Sequence, residues 1–272
     1  MKFQAVFPYS NAMQPFRTYG PPPCAVVLIH GGPGAPGSLA PLANLLKTDN
    51  SLLEPFQQNS TIGGQVKEMY DTISRHGNTP VVLVGHSWGA WLGWIFAAEY
   101  PKVVKKLIMI GAGPFEEKYA ENISRLRRQR LSPEEHQTVQ DLAAELKYAQ
   151  GAAKKEIFIK LGRLMTKADT FAPVSNEEHV TRYQPEIYES IWPEAAALRA
   201  SGKLINLAAR IRCPVTAIHG DYDPHPAEGV EIPLSESLND FRMIRMQNCG
   251  HYPWNERYAA EEFASILLRE IA

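Results

Sequence analysis

Three residue types that together can cleave an acyl bond occur in order along the chain. They are a serine in Gly85-His86-Ser87-Trp88-Gly89, an acid in His219-Gly220-Asp221-Tyr222-Asp223 and a histidine in Cys249-Gly250-His251. A serine hydroxyl is a weak nucleophile until a base takes its proton, and imidazole suits that task near neutral pH. A carboxylate then fixes the ring tautomer and stabilises the imidazolium that forms. Ser87 is the expected nucleophile and His251 the expected general base. Asp221 and Asp223 compete for the acid. Asp221 directly follows a strand-ending glycine, where a short acidic side chain caps a loop by accepting backbone N–H groups. Asp223 lies further out and is the expected partner of His251.

The pentapeptide Gly85–Gly89 is too short to carry weight alone. Its context does: it follows the apolar run Val81–Val84 and opens the helix-like stretch Trp88–Tyr100. A serine in so tight a strand–turn–helix corner must take a strained backbone, and flanking glycines leave room for it. A metal reading competes at His219, Asp221, Asp223 and His225, which would share one face of a strand. Gly220 and Pro224 break that strand and no other ligand cluster supports an ion, so no metal and no cofactor is expected.

These groups need a scaffold. Ala25–Ile29, Val81–Val84, Leu107–Ile110 and Val215–Ile218 are continuous apolar runs ended by glycines, and Phe241–Met246 is the expected last strand. Strands apolar on both faces belong to a parallel sheet covered by helices on each side. Ile62–Arg75 and Glu256–Ile271 each carry one apolar helical stripe, and Trp88–Tyr100 is apolar nearly all round. From Phe115 to Ala209 the β/α alternation stops. Breaks at Ser132-Pro133, Gly151, Ala172-Pro173, Gln184-Pro185 and Trp192-Pro193 predict about five helices there. The expectation is an α/β core, residues 1–114 and 210–272, interrupted by a helical lid, residues 115–209. Aromatics such as Phe115, Tyr183 and Trp192 suggest an apolar chamber beneath it.

HGGPG (30–34), GHSWG (85–89), GDYD (220–223) and CGH (249–251) together resemble the α/β-hydrolase superfamily, and within it the proline iminopeptidase-like branch of serine peptidases (clan SC). The order serine, acid, histidine is the one this superfamily uses. The resemblance covers about residues 24–114 and 213–272. It implies an oxyanion hole made by the backbone N–H groups of Gly32 and Trp88. Two departures stand out. His86 occupies a position that is commonly glycine in that branch, and an expected Asp-Gln-Arg-Gly stretch has no counterpart in LLEPFQQNSTIGGQVKEM (52–69). Peptidases of the branch hold a free amino group with acidic lid residues. Glu116, Glu117, Glu177, Glu178, Glu186 and Glu194 are available, and solvation is the default for each.

Bulk properties exclude other classes. A formal net charge of -1 leaves no basic surface for nucleic acid or anionic lipid. The basic run Arg125–Arg130 is expected to be a solvated helix face. No run approaches the ~20 apolar residues of a membrane helix, and Pro8 breaks the short apolar N-terminal run, so neither a membrane nor a signal peptide is expected. Cys24, Cys213 and Cys249 are odd in number and widely spaced, which fits reduced thiols and a cytoplasmic protein. The expected partner is a small-molecule or short-peptide substrate. The expected activity is a serine hydrolase cleaving a small ester or amide, an N-terminal residue of a short peptide included. The alternatives are a ligand-binding protein on the same scaffold, and a carbon–carbon bond hydrolase. Serine rather than aspartate at position 87 argues against dehalogenation.

Overall fold

The computed structural model describes residues 14–46, 51–177 and 179–272. The N-terminal stretch 1–10 and Glu178 lie outside the described residues. Seven strands, β1 (Phe16–Tyr19), β2 (Cys24–Ile29), β3 (Leu52–Pro55), β4 (Gly77–His86), β5 (Val104–Ile110), β6 (Val215–Gly220) and β7 (Phe241–Met246), form one sheet. Their order is β1-β3-β2-β4-β5-β6-β7. Among the described residues only β1 runs antiparallel, paired with β3 at the sheet edge; the six strands β3-β2-β4-β5-β6-β7 pair in parallel.

Strand periodicity splits the central sheet between two cores. Val27, Ile29, Leu83, Leu107, Met109 and Ala217 join one apolar cluster; Val26, Leu28, Val82, Val84, Ile108, Ile110 and Ile218 join the other. Helices α2 (Ile62–His76) and α3 (Trp88–Glu99) cover the first face. Helix α1 (Ala40–Leu46) and the C-terminal helix Ala260–Ile271 cover the second. Each fully buried Leu, Ile or Phe in these layers contributes about 1.5–3 kcal/mol. Burial of α3 all round, from Trp88 to Ala98, fixes the helix that follows Ser87.

Between β5 and β6 lie α4 (Ile123–Arg130), α5 (Pro133–Leu146), α6 (Gly151–Asp169), α7 (Pro185–Ala200) and the one-turn α8 (Lys203–Asn206). A capping box starts α5: Ser132 accepts from the Glu135 N–H while the Glu135 side chain accepts from the Ser132 N–H. The break expected at Trp192-Pro193 does not occur. Pro193 sits inside α7, which continues because Ile187, Ile191 and Ala195 bury one face in the first core. That packing outweighs the lost hydrogen bond. The arginine run of α4 is also not wholly solvated. Arg125 and Arg128 are exposed, but Arg127 and Arg130 turn inward. Helix α9 (Glu228–Ser237), with Pro233 inside it, the edge strand β1 and its neighbour β3 complete the unexpected elements. Among the described residues no helix is long and apolar enough to cross a membrane.

Candidate active site

Ser87 stands between the last residue of β4 and the first of α3, with φ 54° and ψ -118°. That is a strained conformation for a residue with a side chain, and the neighbouring backbone enforces it. A Cβ on Gly85 would collide with the carbonyl of Gly89, and one on Gly89 with the carbonyl of Ile29, so both flanking glycines are sterically required. Residues 84–86 and 88–90 are buried, whereas Ser87 is partly exposed at the carboxyl edge of the sheet.

The loops after β6 and β7 deliver the acid and the histidine to the same edge. His251 Nδ1 lies 2.7 Å from Asp223 Oδ2, and the carboxylate is fully buried. Asp221 does a different job: its Oδ1 accepts the Cys249 N–H at 3.1 Å and ties the two loops together. Burial alone would raise the Asp223 carboxyl. The imidazoles of His251, His225 and His219 outweigh it and hold the group well below the usual carboxylate range. Burial opposes protonation of His251, but Asp223 lifts its ring above the ordinary 6.5. A positive-φ glycine makes room for the pair: a Cβ on Gly111 (φ +53°) would stand 2.9 Å from His251 Nδ1 and 3.1 Å from Asp223 Oδ2. No hydrogen bond joins Ser87 Oγ to His251 among the described residues. Such contacts commonly tighten only once substrate is bound.

Asp223, His225 and His251 place donor atoms within 4.8 Å of one another. The two N···O separations on Asp223 are 2.7 and 2.8 Å. Those lengths suit proton-bridged pairs. Two ligands of one ion, each bonded at about 2.0–2.1 Å, stand roughly 3.0–3.4 Å apart, so the group as it stands fits protons better than an ion.

Gly32 is exposed, with φ +42°, in the loop after β2, and no atom lies within 4 Å of where a Cβ would be. Trp88 opens α3, so its N–H has no partner within the helix. A residue absent from the sequence expectations links the two segments. Gln57, 4% exposed, donates from Nε2 to the His30 carbonyl at 2.8 Å and accepts the Trp88 indole N–H at 3.0 Å. Its backbone N–H meets His30 Nε2 at 3.3 Å. Burial pushes His30 down to about 4, so the ring stays neutral and can accept. His86, the other departure from the branch pattern, is also buried and held neutral by its burial. Its Nε2–H donates to the His251 carbonyl at 2.9 Å, and the two rings pack with centroids 4.7 Å apart.

The inserted segment bonds to both loops that flank Ser87. Gln184 donates from its backbone to the Gly34 carbonyl at 2.9 Å, and Thr181 to the Pro36 carbonyl at 2.8 Å. On the other side the Asp169 carbonyl accepts the His251 N–H at 2.8 Å. Glu256, fully buried, accepts backbone N–H groups from Gly250, Phe171 and Ala172. Asp169 in turn binds Arg127 in a two-pronged pair. The sequence hint for that pair was slight, two residues 42 apart with nothing to single them out. Three of the six acids considered for an amino-group anchor are engaged elsewhere. Glu116 pairs with Lys118, Glu117 with Arg199, and Glu194 accepts the Ile62 N–H; Glu177 and Glu186 are exposed. A cavity of about 330 Å³ is lined by Arg130, His219, Asp223, Glu228 and Arg245, among others. Neither Ser87 nor His251 lines it.

The chain is 35% identical over 54 residues to human Epoxide hydrolase 4, a match covering 20% of this chain and 15% of that protein's length. Two solved structures share its fold across most of both chains. VinJ superposes with a TM-score of 0.64 at 21% identity, covering 94% of this chain and 93% of the other. Proline iminopeptidase of Mycobacterium smegmatis superposes with a TM-score of 0.61 at 18% identity, again covering 94% and 93%. The family model described as the alpha/beta hydrolase fold matches residues 61–256, most of the chain and all three of Ser87, Asp223 and His251, so this protein belongs to the α/β-hydrolase family.

Proposed function

We propose that this protein is a serine hydrolase that cleaves a small ester or amide through an acyl-enzyme. The observation that carries the proposal is the 2.7 Å His251–Asp223 hydrogen bond, made at the same sheet edge that presents Ser87 in a strained corner. In this reading His251 Nε2 takes the Ser87 proton as Oγ attacks the substrate carbonyl carbon. The carbonyl oxygen becomes an oxyanion and receives the Gly32 and Trp88 N–H groups, an interaction worth several kcal/mol in a water-poor site. The C–O or C–N bond then breaks, and His251 returns the proton to the leaving group. Water, deprotonated by His251, attacks the acyl-serine, releases the acid and restores Ser87.

The inserted segment 115–209 acts as the lid in this account. Its backbone hydrogen bonds to Gly34, Pro36 and His251 support that reading. A lid selects small substrates, as enclosed sites generally do. The engagement of Glu116, Glu117 and Glu194 elsewhere favours a neutral ester or amide over a peptide held by its free amino group. Three unpaired cysteines fit action in the reducing cytoplasm. The test is a turnover screen with aryl esters, acyl arylamides, aminoacyl arylamides and casein. Hydrolysis of small aryl esters or acyl arylamides, with casein untouched, is expected. Efficient internal cleavage of casein with no small substrate turned over would sink the lid and the substrate class together.

The second reading, a ligand-binding protein without turnover, draws on one observation: no hydrogen bond joins Ser87 Oγ to His251. It predicts binding of small acyl compounds with no product and no covalent adduct at Ser87.

A further inference from the structure

The Ser–His–Asp scheme uses one imidazole on the carboxylate, yet Asp223 carries two. His225 Nδ1 lies 2.8 Å from Asp223 Oδ1, and the His225 backbone N–H donates to the same oxygen at 2.9 Å. The other oxygen, Oδ2, is held by His251 at 2.7 Å. The two rings pack with centroids 4.6 Å apart and planes inclined by 33°. A third imidazole fixes the arrangement from behind: His219 Nε2–H donates to the His225 carbonyl at 2.7 Å and stands 3.5 Å from Asp223 Oδ2. The His225 side chain is 12% exposed, so water and protons reach it while its carboxylate partner stays buried.

We propose that His225 is a positioning residue of this hydrolase: it holds Oδ1 of Asp223 so that Oδ2 faces His251, and it competes with His251 for the single negative charge they share. The proposal rests on the serine-hydrolase reading above. Its physics is that of two titrating groups on one counter-charge. The charged and titratable groups around His225 are Asp223, His251, His219, His86 and Arg127. One proton on either imidazole neutralises the buried carboxylate. A second would leave a net positive charge beside Arg127, so the two protonations oppose each other. While His225 is neutral it donates Nδ1–H to Oδ1 and leaves the whole carboxylate charge for the imidazolium that forms on His251. Burial favours that neutral form.

Two variants separate positioning from mere packing. His225→Ala removes both the donor and the titrating ring. His225→Asn retains a side-chain N–H donor near the same place and does not titrate. The readouts are kcat and KM on an aryl ester from pH 5 to 9, the melting temperature, and the rate of fluorophosphonate labelling of Ser87. For His225→Ala the expected result is a kcat about 10- to 100-fold lower, the size of a misplaced catalytic group, with KM within about 3-fold. For His225→Asn, kcat at neutral pH should recover to within about 3-fold of the native enzyme. In both variants the acid limb of kcat/KM should become a single ionisation displaced to higher pH, since competition for Asp223 has gone. Native kcat and an unchanged acid limb in both variants would overturn the proposal. So would parallel losses of kcat and melting temperature in both with no change in the pH profile, which would mark His225 as a packing contact. Should His225→Ala fail to fold, the acid limb of His225→Asn decides alone. Absence of fluorophosphonate labelling in the native enzyme would instead defeat the serine-hydrolase reading, a separate outcome.

Discussion

The backbone N–H of His251 donates to the carbonyl of Asp169 at 2.8 Å, while both carboxylate oxygens of Asp169 are gripped by Arg127 at 2.6 and 2.7 Å. One residue at the end of α6 thus joins the candidate base to a helix of the inserted segment. Removing Arg127 leaves a carboxylate that is only 3% exposed without its partner. Breaking such a pair costs about 3 kcal/mol, the low end of the usual range because the Arg127 side chain keeps 25% exposure. Arg127→Ala is expected to lower the melting temperature and to reduce kcat by more than it raises KM. Thermal melts and steady-state kinetics check this. Native stability in Arg127→Ala would show that the pair does not hold the segment in place.

The two aspartates of the loop after β6 should respond in opposite ways. Asp223 bonds His251, and Asp221 bonds the Cys249 N–H. Asp223→Asn leaves the carboxylate's shape but removes its charge and disturbs the tautomer of His251. By the triad template kcat should fall about 10³- to 10⁴-fold. Asp221→Asn should keep kcat within about 3-fold and cost about 1 kcal/mol of stability, the scale of one weakened hydrogen bond. Kinetics and denaturant melts on the two variants decide. The reverse pattern would reassign the acid.

Protonation sets two different pH dependences. Asp223 outweighs burial and raises His251 above its ordinary 6.5. Because the base must be neutral to accept the Ser87 proton, kcat/KM should fall as pH drops through a value at or above 6.5. A profile flat down to pH 5 would exclude a histidine base. Stability runs on other residues. His30 is lowered by burial to about 4, and burial also lowers His86 and His225. Between pH 6.5 and 4 the unfolded chain binds protons that native His30 refuses, so stability must decline as pH falls through that window. His251 has the opposite sign: its contribution is complete below 6.5 and is lost as pH rises through its folded value. Three lowered histidines outnumber one raised one. The melting temperature should therefore drop between pH 6.5 and 4; a flat or rising value would show that His30 and His86 titrate in the native state.

The central strands and their loops were legible because their signals are local. A run such as Val81–Val84 is apolar on both faces, and the glycines after it mark the carboxyl edge where Ser87 is held. Strands β1 and β3 were not legible. Each has four residues, and FRTY and LLEP show neither clean alternation nor a continuous apolar run. They exist through pairing: β3 with β2, and β1 with β3. Pro193 misled because a proline in an isolated helix is a break, whereas α7 is held by core contacts of Ile187 and Ile191. Within the site, Asp223 and His251 are 28 residues apart yet stand out by type and order. The supporting groups do not. Gln57, His86, Asp169 and Glu256 act through backbone carbonyls and N–H groups that no residue pattern announces.

Gln57 offers a test of the oxyanion assignment. It is the side chain that joins the His30 carbonyl, next to the Gly31-Gly32 turn, to the Trp88 indole. Gln57→Leu keeps similar bulk, takes its donor from the His30 carbonyl at about 1–3 kcal/mol, and leaves the Trp88 indole with only its longer 3.3 Å bond to Gln65 Oε1. If Gly32 and Trp88 supply the oxyanion contacts, their misalignment should lower kcat about 10- to 100-fold with KM within about 3-fold, since such contacts form only in the transition state. A rise in KM with native kcat would place Gln57 in substrate binding instead.

The central claim is that Ser87 is a nucleophile activated by the loops after β6 and β7. The most direct measurement is intact-protein mass spectrometry after exposure to a fluorophosphonate, with peptide mapping, on the native protein and on Ser87→Ala. One phosphonyl adduct per native chain, mapped to Ser87, is expected, with neither adduct nor ester turnover in Ser87→Ala and an unchanged melting temperature. Equal labelling of both proteins, or ester hydrolysis that survives in Ser87→Ala, would contradict it.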